Sequence, residues 1–262
     1  MVNMKKRTIS AFFIVLIFGG AIAYGNPLFA ILISICALLG LNEFIGVRKK
    51  IKKLDSISLL SYISLLLITL NNVLFTFDVN SLFVLTILLL GIPVVLFNDS
   101  EKYNINDSLY LIASVLLLGI TFNNLILFRE QNINLCIYIF LISFMTDTYA
   151  YIGGMLVGRH KLTNISPKKT IEGSLVGTVM ATLIGSCFYS VIIGGLGLKI
   201  VIFISLLLSL VSQIGDLFFS SIKRYYNKKD YSNLIPGHGG ILDRLDSVIF
   251  VTLLLSLLLN IF

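Results

Sequence analysis

The chain has 262 residues, 57% hydrophobic and only 13% charged, with a formal net charge of +7 and a mean hydropathy of +0.97. A soluble globular domain carries about a quarter charged residues, and no polar stretch here is long enough to fold apart from the apolar runs, so a soluble enzyme domain is excluded. On so apolar a chain the positive excess is a topology signal and a phosphate-binding surface, and no nucleic-acid partner is expected.

Apolar runs near 20 residues, the length that crosses about 30 Å of hydrocarbon, recur from end to end. They predict an all-α polytopic bundle of nine spans, near 8–25, 27–46, 56–76, 80–97, 108–128, 134–155, 174–196, 199–220 and 244–261. Lys5-Lys6-Arg7 before the first run resembles a signal peptide, but no small-x-small cleavage site follows, so the run is kept as an uncleaved span. Asn26-Pro27 joins the first two runs so tightly that whether both cross is left open. Cys36, Cys136 and Cys187 lie in apolar runs without metal-type spacing and read as small buried hydrophobes. With nine spans, 18 of the 20 Lys and Arg fall on one side and only Arg129 and Lys199 on the other. The excess of Lys and Arg marks the cytoplasmic side. This orientation puts the N-terminus in the cytoplasm, the C-terminus outside, and loops 156–173 and 221–243 together on the cytoplasmic face.

The first half is less informative. Glu43 reads as an interfacial carboxylate paired with a nearby lysine, and Arg48 to Lys53 as a topology signal. Asp99, Glu101, Lys102 and Asp107 read as a short solvated loop. The whole chain is taken as one transmembrane domain, with residues 1–130 as scaffold and possible dimer contact and 131–262 as the catalytic half.

The second half carries the chemistry. Asp147 sits late in an apolar run, where an ionised carboxylate is expensive and should face a polar cavity or a cation. Gly153, Gly154 and Gly158 permit close approach. Ser166-Pro167 reads as a helix start, its free N–H groups beside Lys168 and Lys169 forming a phosphate site. Gln213, Asp216, Ser220 and Lys223 recur on one helix face. In Pro236-Gly237-His238-Gly239-Gly240 the glycines break any helix and leave backbone N–H groups free for a ligand. Asp243 and Asp246 stand three apart at the head of the last run.

There is no Walker-type loop, dinucleotide-binding fingerprint or Ser-His-Asp grouping. Carboxylates at membrane depth, basic loops and glycine turns suit transfer of a phosphorylated nucleotide onto a lipid phosphate. Both reactants are anions whose repulsion must be screened. Two other classes stay open on the residues alone. A transporter would use Asp147 and Asp216 to line a proton or cation path, although the charges gather on one face rather than crossing the membrane. A non-catalytic assembly protein would keep the fold without the turnover. Within enzymes, another CTP- or polyprenol-dependent transferase or kinase is the alternative.

Ser220, Lys223, Arg224, Lys229, Asp230, Pro236, His238, Gly239, Gly240, Asp243, Arg244 and Asp246 match without a gap a pattern of Ser-x-apolar-Lys-Arg, four residues, Lys-Asp, then Pro-x-His-Gly-Gly-apolar-x-Asp-Arg-apolar-Asp. The stretch resembles the signature of the CTP:phosphatidate cytidylyltransferases (CDP-diacylglycerol synthases). Ser232 stands where that family commonly has glycine. The run from Asp147 to Tyr151 and that from Ser166 to Gly173 resemble the same family upstream.

The resemblance implies a multi-pass enzyme of the cell (inner) membrane, active on its cytoplasmic side and homodimeric. It would join CTP to phosphatidic acid to give CDP-diacylglycerol and pyrophosphate, with Mg²⁺ alone or beside a second cation. It implies Asp216, Asp243 and Asp246 as metal ligands, with Asp147 as a fourth acid. Lys223, Arg224, Lys229 and Arg244 would bind the triphosphate and lipid phosphate, helped by Lys168 and Lys169. Ser220, Gly239 and Gly240 would lie against substrate, His238 would hydrogen-bond a phosphate, and Asp230 would orient Lys229 or Arg224.

Overall fold

The computed structural model describes residues 12–13, 16–48, 55–96, 103–237 and 239–261. Lys5 to Arg7, Lys49 to Lys53, Asp99, Glu101, Lys102 and His238 lie outside the described residues. Among the described residues regular structure is helical, and β-pairing is limited to isolated bridges. After a first helix over 16–24 (α1) come α2 (Asn26–Arg48), α3 (Ser56–Thr69), α4 (Val79–Leu96), α5 (Ile105–Gln131) and α6 (Ile133–Val157). The chain continues through α7 (Ile171–Phe188), prolonged by a π turn over Tyr189–Ile193, then α8 (Leu198–Tyr225) and α9 (Leu242–Leu259).

Six of these, α2, α4, α5, α6, α7 with its π turn, and α8, are long and apolar enough to cross a membrane. Their outward faces stay apolar, as with Leu88, Ile92 and Val95 of α4, a surface that hydrocarbon covers and water does not. Two expected spans change character. The third ends at Thr69 instead of 76, leaving a helix of 14 residues. Beyond it, Asn72 takes a left-handed φ of 63°, and the Asn71 amide both donates to the Phe77 carbonyl and accepts from the Phe77 N–H. Local side-chain bonds of this kind compete with helix. The last, α9, is apolar but opens with Asp243, Arg244 and Asp246.

The chain divides into two compact units, residues 1–127 with 230–243, and 128–229 with 244–262. In the first unit Phe29, Ile33, Leu41, Phe44, Leu65 and Phe122 are fully or almost fully buried. Gly119 lets Ile68 of α3 approach α5 until a β-carbon there would stand 2.8 Å from its methyl group.

Two polar residues of this unit differ from expectation. Asp107 belongs to no solvated loop: its side chain is fully buried and meets Arg48 Nε at 2.6 Å, while its other oxygen accepts from the Asn104 N–H. Arg48 also donates to the Asn106 carbonyl and lies over the Tyr110 ring, 5.1 Å from its centroid. Arg48 is thus a tie between α2 and α5, beyond any role in topology. Asp107→Ala should lower stability by about 3 kcal/mol or more, because it leaves a guanidinium largely out of water without its partner. Thermal unfolding in detergent reads that loss.

In the second unit α6 and α7 pack through small residues. A β-carbon at Gly173 would fall 2.5 Å from the Ala150 carbonyl, and one at Gly177 would fall 2.7 Å from the Thr146 carbonyl. Such stripes let transmembrane helix backbones touch. Gln213 of α8 reaches α7, donating to Thr178 Oγ1 at 2.8 Å and accepting from the Ser174 hydroxyl. Gly215 lets α9 approach α8, with the Asp246 carbonyl and the Phe250 side chain where its β-carbon would be. Cys36 and Cys136 are buried as expected, but Cys187 is exposed on the outward face of α7.

Candidate active site

Three aspartates of the second unit, Asp147, Asp216 and Asp246, lie on three different helices. Asp147 lies ten residues before the end of α6, accessible, and its Oδ2 accepts from the Ser247 hydroxyl of α9 at 3.3 Å. Asp216 lies on α8, and its Oδ1 accepts from the Ser220 hydroxyl one turn on. Asp246, one turn into α9, is buried and accepts from the Ser247 N–H. Asp216 acts electrostatically on both of the others, and Asp147 on Asp246. The spacing on α8 performs as the sequence predicts: Gln213, Ser220 and Lys223 are buried together on one face, with Asp216 half-buried between them.

Cations answer the carboxylates. Lys169 Nζ sits 2.5 Å from Asp216 Oδ2, Lys223 acts on Asp246, and Lys169 and Arg244 act on Asp147. Lys168, Arg224, Lys229, Asp230 and Arg244 are exposed. Arg224 also closes the end of α8 by donating to the Lys228 carbonyl.

The segment carrying Lys168 and Lys169 differs from the predicted helix start. Ser166-Pro167-Lys168-Lys169 is a turn, closed by the Lys169 N–H on the Ser166 carbonyl. The helix begins at Ile171, with Thr170 as its cap: the Thr170 hydroxyl takes the Gly173 N–H. Proline suits either position, and pairing across the loop decides, with the Leu162 N–H on the Lys169 carbonyl and the Ile171 N–H on that of His160. Glu172 reaches back to the N–H groups of Arg159 and His160 and to His160 Nδ1. This arrangement ties the loop and aims Lys169 at Asp216.

In the first unit the glycine turn is more internally satisfied than the sequence suggests. Gly237 and Gly239 take φ of 79° and 83°, the left-handed region that glycine tolerates, and the Ile235 N–H closes the turn on the Gly239 carbonyl. The backbone donors that follow are not free for a ligand. Asp243 Oδ2 takes the N–H groups of Tyr231 and Gly240, each at 2.9 Å. Glu43 takes those of Ile241 and Leu242, also at 2.9 Å, together with the Ser232 hydroxyl at 2.6 Å. Glu43 is therefore a buried anchor of this segment and not an exposed interfacial carboxylate; the lysines nearest it in sequence, Lys49 to Lys53, lie outside the described residues. Ser232, the departure from the family pattern, supplies one of its donors.

Among the described residues no three His, Cys, Asp or Glu side chains stand together at metal-ligand spacing. The donor chemistry nevertheless fits a hard divalent cation. Asp147, Asp216 and Asp246 offer carboxylate oxygens, the donor type such ions take, and an ammonium group of the chain already sits on Asp216 as a cation would.

A family model described as "Cytidylyltransferase family" matches residues 5–262. The chain is 33% identical over 261 residues to a phosphatidate cytidylyltransferase of Staphylococcus haemolyticus, covering 98% of this chain and 99% of that one. It is 31% identical over 261 residues, with the same coverage, to the protein of that name from Staphylococcus saprophyticus. The figure is 33% over the same coverage for that of Staphylococcus aureus strain COL. From residue 5 to its last residue, the chain belongs to the cytidylyltransferase family.

Proposed function

We propose that this membrane nucleotidyltransferase moves the cytidylyl group of CTP onto phosphatidate, releasing pyrophosphate and leaving CDP-diacylglycerol for phospholipid synthesis. The observation that carries the residue roles is the Lys169–Asp216 pair beside Asp147 and Asp246. Charges of both signs, which a phosphoryl-type transfer needs, on or beside helices apolar enough to cross a membrane support this reading.

Asp147, Asp216 and Asp246 would hold Mg²⁺. When bound, the ion neutralises triphosphate charge and polarises the phosphorus under attack. A phosphate monoester loses its second proton near pH 6, so the phosphatidate oxygen is already a nucleophile at neutral pH and needs no strong base. The chain's own part is positioning and screening. Lys169 leaves Asp216 for a substrate phosphate as the anions arrive, Lys223 stays beside Asp246, and the exposed Lys168, Arg224, Lys229 and Arg244 receive the triphosphate and the lipid headgroup. Asp243, with one oxygen engaged by two backbone donors, holds the glycine turn and is not assigned to the ion. Counted over nine spans, with the short α3 among them, the distribution of Lys and Arg supports a cytoplasmic N-terminus and a site on the cytoplasmic side of the cell membrane. A homodimer is part of the same reading, by family resemblance.

Purified protein in detergent, given CTP and phosphatidate, should form CDP-diacylglycerol and pyrophosphate only with Mg²⁺ present. Lack of product from folded protein across several phosphatidate species and divalent ions would sink the reading. Product equally abundant with chelator would remove the ion from it.

A further inference from the structure

We propose that Glu43, a residue of α2 outside the signature, is a positioning residue for the transfer reaction, fixing the glycine turn and the first turn of α9 through its carboxylate. The inference rests on the reaction proposed above and adds a part from the opposite end of the sequence.

Glu43 is 5% exposed. A carboxylate that far out of water requires compensation, and here the compensation comes from one segment. One oxygen accepts from Ser232 Oγ and the Ile241 N–H, and the other from the Leu242 N–H. Leu242 opens α9, so the carboxylate takes a backbone donor that no residue within the helix can satisfy and lies at the positive end of its dipole. The fit is close. A β-carbon at Gly240 would stand 2.6 Å from the Glu43 carboxyl carbon, so any larger residue there would push the acid from its donors.

Asp243 grips the same segment from within, on Tyr231 and Gly240. Two carboxylates thus take the N–H groups of three consecutive residues, 240 to 242. Asp243, Arg244 and Asp246 occupy the first two turns of the helix whose start is held in this way. A helix end transmits a small rotation to every side chain near it, so loss of the clamp misdirects these residues without removing any of them.

The glutamine variant isolates the claim. Glu43→Gln keeps the shape but offers one acceptor oxygen in place of two, and turns an amide N–H toward a backbone donor. Glu43→Asp keeps charge and both oxygens on a shorter arm. For Glu43→Gln, kcat per folded molecule should fall by about 10- to 100-fold, the cost of misplacing reacting groups by about 1 Å. KM for CTP should stay within about threefold of the unaltered protein, and Glu43→Asp should recover part of kcat. Hydrogen exchange of the peptide spanning 232–245 gives a readout that needs no turnover: its amides should exchange faster in Glu43→Gln, while peptides of α6 and α7 keep their rates.

Turnover and exchange both unchanged in the folded glutamine variant would overturn the proposal. So would a rise in KM at constant kcat, which marks a binding role, or failure of both variants to yield folded protein, which marks a folding role. If the unaltered protein shows no cytidylyl transfer, the proposed reaction fails, and the exchange result alone decides whether Glu43 clamps the turn.

Discussion

Asp246→Asn and Asp216→Asn, each purified as folded protein, should lose CDP-diacylglycerol synthesis by about a thousandfold, the loss of several kcal/mol of charge stabilisation in the transition state. Asparagine keeps the size of the side chain and one acceptor oxygen, so Asp246→Asn retains an acceptor for the Ser247 N–H and the contact of α9 with α8 at Gly215 is undisturbed. What it removes is one of three carboxylates that act on one another. Mg²⁺ binding to the native state raises the unfolding temperature by mass action. Titration of the unaltered protein with Mg²⁺ should therefore raise its melting temperature, and both Asn variants should lose that response. Asp243→Asn provides the contrast. Asparagine there keeps one oxygen for the Tyr231 and Gly240 N–H groups but loses the charge that strengthens both bonds, so turnover should fall moderately while the Mg²⁺-dependent rise persists. If Asp243→Asn abolishes the thermal response and Asp246→Asn keeps it, the two aspartates have exchanged roles and the ion assignment here is wrong.

What the sequence discloses and what it conceals follow from how local each relation is. The face made by Gln213, Asp216, Ser220 and Lys223 was legible because i, i+3 and i+4 spacing fixes it within one helix, and α8 delivers that face. Helical class was legible for the same reason, since hydrocarbon demands long apolar runs. Glu43 was not legible. Two of its partners, Ile241 and Leu242, are almost 200 residues away, and they contribute backbone N–H groups, which every residue but proline possesses. The rule that singled out Asp147, an acid within an apolar run, applied equally to Glu43. The lysines nearby offered a simpler explanation and masked it. Asp107 shows the same limit: polar neighbours suggested a wet loop, whereas its burial depends on Arg48, nearly 60 residues earlier. At Ser166-Pro167 the local signals suited both a helix start and a turn, and bonds from 160–162 to 169–171 selected the turn.

The close packing of α6 on α7 makes Gly177 important for turnover although no substrate contact is assigned to it. Gly177→Val should lower both stability and turnover, and Gly177→Ala should do so to a smaller degree. A β-carbon there would meet the Thr146 carbonyl at 2.7 Å, the Ala150 β-carbon at 2.8 Å and the Ala150 nitrogen at 3.0 Å. Two of these three are backbone atoms and cannot rotate aside, so the helices must separate. Overpacking of this kind costs about 1 to 3 kcal/mol, seen as a lower melting temperature in detergent. The effect on rate should be larger in proportion. Asp147 is bonded in sequence to Thr146, and Lys169 immediately precedes Thr170, the cap of α7. Pushing α6 from α7 therefore moves a carboxylate and an ammonium group apart, and a shift of about 1 Å in such a site costs about a hundredfold. Gly91→Ala on α4 is the matched control, because no atom lies within 4 Å of its β-carbon position and alanine is the better helix former. Native turnover and melting temperature in Gly177→Val would mean that close approach of α6 and α7 does not hold Asp147 and Lys169 in register. Loss of turnover at a native melting temperature would mean that the two helices separate with little strain while the charges they carry do not tolerate it.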